Sequence, residues 1–363
     1  MIGIYIHVPF CATKCPYCDF YSGKYSKDKI ISYGDAVVRN LEYYSKYKVQ
    51  ADTIYFGGGT PSLMEVSSID KIIQTARKCF DMPKNAEITL ETNPRTLNAN
   101  KMESLINCGV NRLSIGVQSC VDTELKTLGR NHTFNDCKNM VATARKVGFE
   151  NISCDLMIGT SYQTMDTLKY SCENISKLDI KHISSYMLKV EENTPYSSNN
   201  DILSNLPSED IVSDMYLKSV EIFKSFGYNQ YEISNFAKSG FESKHNLKYW
   251  QCVDYLGIGS GSHSCFDGKR FYVPKDRDNF ILEEHQKTVI TEENPYTFEE
   301  VGMLALRLSS GLDTKLYPKY ASEVLKKAYP LERYGYLTIH NDIISLTPKG
   351  FLVSNSIIET LIL

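Results

Sequence analysis

Short β-rich runs alternate with helix-periodic stretches through the first half of the chain. β-branched and aromatic residues gather at 3–8, 53–56, 87–90, 112–115, 152–156 and 182–186, lengths that suit buried strands. Between them, residues 30–44, 67–80, 98–107, 135–147 and 164–177 carry apolar side chains at three- and four-residue spacing, the period of a helix with one buried face. Repeated β–α units predict a parallel sheet with helices packed outside it. Six units fall short of the usual eight-fold barrel. The expected fold is therefore α/β, an open, partial (β/α)6 TIM-like barrel.

The pattern changes near residue 190. Residues 189–207 are rich in Asn, Ser, Glu and Pro and read as a loop or linker. Ser208 is placed to cap a helix running to about Phe226, with Asp210 in its first turn. From about Thr297 the chain predicts two or three helices and a short strand pair around residues 336–346. Three units follow: a core barrel at residues 1–190, a linker helix and barrel-capping region at 191–295, and a small winged-helix-like domain at 296–363.

Composition narrows the function classes. Of 363 residues, 42% are hydrophobic and 23% charged, with a formal net charge of −3, so no basic footprint for nucleic acid exists and the winged-helix-like tail reads as structural. No uninterrupted apolar run approaches the roughly 18 residues that a bilayer span needs. The N-terminus lacks the charged-then-apolar order of a secretory signal. Eleven cysteines, an odd count, then point to a reducing compartment, with the cytoplasm as the expected location.

Three of those cysteines carry the chemistry. Cys11, Cys15 and Cys18 lie within eight residues, directly after the first predicted strand. Thiolates are the usual protein ligands of iron–sulfur clusters. Three of them hold three irons of a [4Fe–4S] cubane and leave the fourth open to chelate the amino and carboxylate groups of a small molecule. A structural zinc site is the other reading, and it needs a fourth ligand such as His7. The remaining eight cysteines are scattered through helix and strand contexts and read as small buried hydrophobes.

Polar residues recur at the ends of successive strands, where α/β barrels build their active face. Gly57, Gly58, Gly59 and Thr60 follow the second strand, a turn that lets backbone approach a ligand closely and offer N–H groups to a carboxylate. Glu91, Gln118 and Asp155 follow at later strand ends. Both carboxylates can accept from an ammonium or from ribose hydroxyls, and the amide can donate or accept. Arg130 is suited to neutralising a carboxylate through paired hydrogen bonds.

Cys-x3-Cys-x2-Cys after a first strand, with Gly57–Pro61 after the second, resembles the radical S-adenosylmethionine superfamily. The likeness tightens to its coproporphyrinogen-oxidase-like group through residues 6–11, 57–61, 116–119 and 256–263, and it covers nearly the whole chain. It implies a [4Fe–4S] cluster on Cys11, Cys15 and Cys18. It also implies S-adenosylmethionine contacts from Tyr5, Tyr17, Gly58, Gly59, Thr60, Glu91, Gln118, Arg130 and Asp155. Two branches compete. The oxygen-independent coproporphyrinogen III oxidase, a decarboxylase of haem synthesis, has a further cysteine where this chain has Phe20, and an extension ahead of the barrel. The HemW family of haem chaperones has the Phe and a His-Asn-x-x-Tyr-Trp motif, here residues 245–250. The resemblance to the chaperones implies haem as cargo, His245 as its iron ligand and client haemoproteins, respiratory ones included, as partners. The family usually reads Gly-Leu-Pro where this chain has Gly159, Thr160 and Ser161, which predicts an altered loop above the pocket.

Overall fold

The computed structural model describes all 363 residues. Six parallel strands form the heart of the sheet: β1 (Ile2–Val8), β2 (Ala51–Gly58), β3 (Glu87–Thr92), β4 (Arg112–Gln118), β5 (Asn151–Ile158) and β6 (His182–Met187). Each pairs parallel with its successor in order, as repeated β–α units produce. The helices between them are α1 (Lys27–Tyr44), α2 (Val66–Cys79), α3 (Ala99–Cys108), α4 (Phe134–Val147) and α5 (Met165–Ser176). In α2 the buried residues Ile69, Ile72, Ile73 and Ala76 form one stripe along the helix. Each such isoleucine contributes about 1.5–3 kcal/mol on leaving water.

Two local signals fix where these helices begin and end. Thr133 caps α4 by accepting from the Asp136 amide while the Asp136 carboxylate accepts from the Thr133 amide. Gly148 ends the same helix at φ 113°, a left-handed conformation that side chains resist.

Beyond Met187 the chain adds α6 (Glu209–Ser225), capped by Ser208 as the sequence predicts, and two short antiparallel strands, β7 (Asn229–Gln230) and β8 (Asn235–Ala237), on the β6 edge. The short helix α7 (Lys244–Trp250) then leads to β9 (Tyr255–Ile258). Periodicity gave no sign of β9, because glycines interrupt its apolar run. It pairs parallel with β1, so β1 is an interior strand and the parallel strands number seven, β1 included. The strands β10 (His263–Phe266), β11 (Lys269–Tyr272) and β12 (Val289–Glu293) continue antiparallel from β9, giving one open twelve-stranded sheet. The last part of the chain forms a separate three-stranded sheet (Leu312–Asp313, Ile343–Leu346, Leu337–His340) with helices Phe298–Ala305, Pro318–Arg333 and Ser354–Ile362. No helix is long and apolar enough to cross a membrane.

Candidate cofactor-binding cavity

The carboxyl ends of the parallel strands open into a cavity of about 980 Å³. Cys11, Cys15 and Cys18 face it together, and all three thiols are half-exposed and unbridged. Burial and the neighbouring thiols of Cys15 and Cys11 raise the Cys18 pKa, which favours the neutral thiol over an uncompensated thiolate. No three His, Cys, Asp or Glu side chains converge on one point as a single-ion site requires. A cubane spreads its thiolates over separate irons, which suits a cavity-facing loop of this kind.

The cysteine loop is held from three sides. From β2, the Gly59 amide donates to Val8 O at 2.9 Å and the Thr60 amide to Phe10 O at 2.8 Å. The approach is so close that a Cβ on Gly59 would lie 2.6 Å from Phe10 O. From the turn after β4, Gly129 (φ 67°) lies against Pro16, where a Cβ would come within 2.5 Å of the proline ring. From the 191–207 segment, Tyr196 donates its amide to Pro16 O at 3.0 Å and meets the Tyr17 ring edge-on at 6.3 Å. The Gly-rich turn thus serves close approach, as expected, but does not offer the N–H groups of Gly59 and Thr60 to a ligand. Those donors are already satisfied by the loop they clamp.

Arg130 joins the loop to the floor. Its guanidinium donates to Asn93 Oδ1 at 2.5 Å, to Gly116 O at 2.6 Å and to Cys15 Sγ at 3.5 Å. Asn93, which the sequence did not single out, directly follows β3 and lines the same cavity as Glu91. Its amide also donates to Thr60 Oγ1 at 3.2 Å, and Thr60 in turn donates to Cys11 Sγ at 3.7 Å.

Every residue expected to contact S-adenosylmethionine lines this one cavity: Tyr5, Tyr17, Gly58, Gly59, Thr60, Glu91, Gln118, Arg130 and Asp155. Gln118 is held at φ 70°, where the β4–β5 register shifts, and its buried Oε1 has no hydrogen-bond partner. A residue on strained backbone with an orphaned side-chain acceptor is a group prepared for a ligand donor. Glu91 accepts from Tyr55 at 2.9 Å, and Asp155 accepts from Ser114 at 3.3 Å. Burial and the Asp155 charge push Glu91 up to about 7, and burial raises Asp155 to about 6. Two desolvated carboxylates, an unsatisfied amide oxygen and a guanidinium match the ammonium, carboxylate and ribose of S-adenosylmethionine, and three thiols beside them match the cluster. The residues present fit both groups.

His245 lies elsewhere. Its ring is buried beneath the cavity and does not line it. Nδ1 is 2.7 Å from Thr53 Oγ1 and Nε2 is 2.8 Å from the Tyr249 hydroxyl. Burial, with Lys248 and Arg112 nearby, lowers its pKa to about 3. Both ring nitrogens of His245, the haem ligand that the resemblance implies, are thus engaged by hydroxyl groups in this structure. From its motif, Asn246 and Tyr249 are the residues that reach the cavity. The Glu87 carboxylate accepts from the Lys244 and His245 amides and so seats the start of α7. Gly159, Thr160 and Ser161 are also absent from the lining. Gly159 donates to Gln163 Oε1 and Ser161 to Ile202 O, so the departure from the family's loop lies under α6 and not over the pocket.

A parallel α/β sheet bearing a three-cysteine loop over a cavity of this make-up defines a radical S-adenosylmethionine protein. Residues 5–175 match the Radical SAM superfamily and residues 297–353 match the HemN C-terminal domain. The fold is shared with the radical SAM enzyme coproporphyrinogen III oxidase from Escherichia coli, at a TM-score of 0.83 and 20% identity over 99% of this chain and 90% of that one. Three proteins called heme chaperone HemW are similar along their whole length. That of Lactococcus lactis is 33% identical over 99% of this chain and 97% of its own. That of Escherichia coli is 32% identical over the same shares, and that of Bacillus subtilis 33% identical over 98% of each. The chain belongs to the HemW family.

Proposed function

We propose that this chain is a haem chaperone: it holds a [4Fe–4S] cluster and S-adenosylmethionine in the cavity, takes haem as cargo and passes it to client haemoproteins. The similarity to three HemW proteins over 98% or more of this chain carries the reading. In that scheme Cys11, Cys15 and Cys18 hold the cluster, which when bound supplies an electron for cleaving S-adenosylmethionine. Arg130 donates to the cysteine loop and, with Asn93 and Gly116, fixes the loop's height above the strand ends. Glu91, Asp155 and Gln118 orient S-adenosylmethionine by accepting from its ammonium and hydroxyl groups. Exposed Phe20, Tyr186 and Met187 form an apolar rim where a planar cargo leaves water.

An anaerobic haem titration beside a porphyrinogen assay on one preparation tests the proposal. A shifted Soret band with no turnover of coproporphyrinogen III, given a reductant and S-adenosylmethionine, is the expected outcome. Accumulation of protoporphyrinogen would instead assign the oxidative decarboxylase activity, and absence of any Soret change would remove haem from the account.

A further inference from the structure

Haem taken as cargo needs an iron ligand, and the cavity contains one uncommitted imidazole. The chain has seven histidines. His7 is engaged at both nitrogens, by the Tyr5 hydroxyl at 3.1 Å and by Tyr21 O at 3.0 Å. His182 is held by Ser153 and Tyr231, and His245 by Thr53 and Tyr249. His132 is buried against Val117 O. His340 pairs with Asn341 in the C-terminal hairpin, and His285 stacks on Tyr43 at a separate, smaller cavity. Only His263 faces the cysteine-lined cavity with neither nitrogen bonded, and it is exposed.

Its setting suits a ligand. His263 opens β10 in register with Tyr272, whose ring lies 5.6 Å from the imidazole, so the ring is fixed by a strand and not by a loose loop. Gly261, at φ 85°, brings the preceding turn against the Tyr21 ring, where a Cβ would stand 3.1 Å away. Tyr21 in turn stacks on His7 at 6.3 Å. Flat aromatic surface therefore borders the imidazole. Lys275 lines the same cavity, and its ammonium makes no ion pair or hydrogen bond, which leaves it open to a carboxylate. Burial and the Lys275 charge lower the His263 pKa, which keeps the nitrogen lone pair available near neutrality. The cavity volume of about 980 Å³ is at the upper end of ligand pockets, which run to about 1,000 Å³, and accommodates cargo beside S-adenosylmethionine.

Resting on the haem-chaperone reading above, we propose that His263 supplies an axial ligand to haem iron at the cavity mouth and that Lys275 receives a haem propionate. The test titrates haem into anaerobic, cluster-loaded protein and follows the Soret difference spectrum and the haem spin state. Relative to wild type, His263→Ala should bind haem at least about tenfold more weakly and lose the histidine-ligated signature. Its cluster absorbance and S-adenosylmethionine binding should be unchanged. His263→Cys should restore affinity with a thiolate-type spectrum, a result no structural role for His263 produces. Lys275→Ala should weaken binding without altering the spectrum. Wild type that binds no haem overturns the chaperone reading itself. Wild type that binds, with His263→Ala showing the same affinity and spectrum, overturns the ligand assignment alone.

Discussion

The Nε2 of His245 stands 2.8 Å from the Tyr249 hydroxyl, one helical turn away on α7, and Tyr249 presents its ring to the cavity. The histidine of the motif thus positions the tyrosine. His245→Ala strands two buried hydroxyls, those of Thr53 and Tyr249, and should cost about 2–4 kcal/mol of stability. Chemical denaturation measures that loss. At a temperature where the variant remains folded, its haem spectrum should match wild type; a lost histidine-ligated signature would restore His245 as the ligand.

Arg130 should prove more important for S-adenosylmethionine than for the cluster. Lysine keeps the charge but cannot reach Asn93 Oδ1, Gly116 O and Cys15 Sγ together. Hydrogen bonds to charged groups contribute about 1.5–3 kcal/mol, so Arg130→Lys should weaken S-adenosylmethionine binding by roughly 10–100-fold. The broad absorbance near ~400 nm and the iron content should persist, because the three thiolates are intact. Loss of iron in this variant would show that the loop height set by Arg130 is also required to load the cluster.

The alternation of strands and helices was legible because each buried element writes its period into the sequence. All six parallel strands from β1 to β6 lie where periodicity places them, and each runs one to four residues further, in several cases into glycine or polar ends such as Gly57, Glu91 and Gln118 that propensity cannot score. The strand β9 was missed for the same reason: Gly257 and Gly259 dilute it, and its partner β1 lies some 250 residues away. The cavity residues were legible as strand-end polar groups. The setting of His245 was not legible, because a motif states which residues occur together and not which way they face. Its one-turn partner Tyr249 and its neighbours Thr53 and Glu87 decide that, and they come together only in the fold.

Gly59 is the point where β2 touches the cysteine loop, and a methyl group there has no room. Its Cβ would meet Phe10 O at 2.6 Å and Val8 O at 2.8 Å, both backbone atoms. Gly59→Ala must push the loop away from the strand, at a cost of about 1–3 kcal/mol. Reconstituted variant should carry substoichiometric iron and a diminished charge-transfer band while its far-ultraviolet circular dichroism stays native. Full cluster loading would show that the loop tolerates the displacement.

Glu91 gives the cavity a pH dependence whose sign is set by burial. Its pKa lies at about 7, above the ordinary value of 4.5, so the folded chain holds a proton that the unfolded chain has released across that interval. Stability from this group is complete below about pH 4.5 and is lost as the pH rises through about 7. Asp155, at about 6, and buried Glu232, at about 7, act in the same direction. Glu91→Gln keeps an acceptor for Tyr55 and removes one buried charge, so ligand-free protein should gain on the order of 3 kcal/mol at alkaline pH and nothing in acid. S-adenosylmethionine reverses the preference, because its ammonium and hydroxyl donors favour the carboxylate. Wild-type affinity should rise several-fold between about pH 6 and 8, and the Glu91→Gln variant should bind more weakly with a flatter profile. Calorimetric titrations of both proteins in buffers of different ionisation enthalpy would count the proton released on binding. An unchanged pH profile in the variant would move the titration to Asp155.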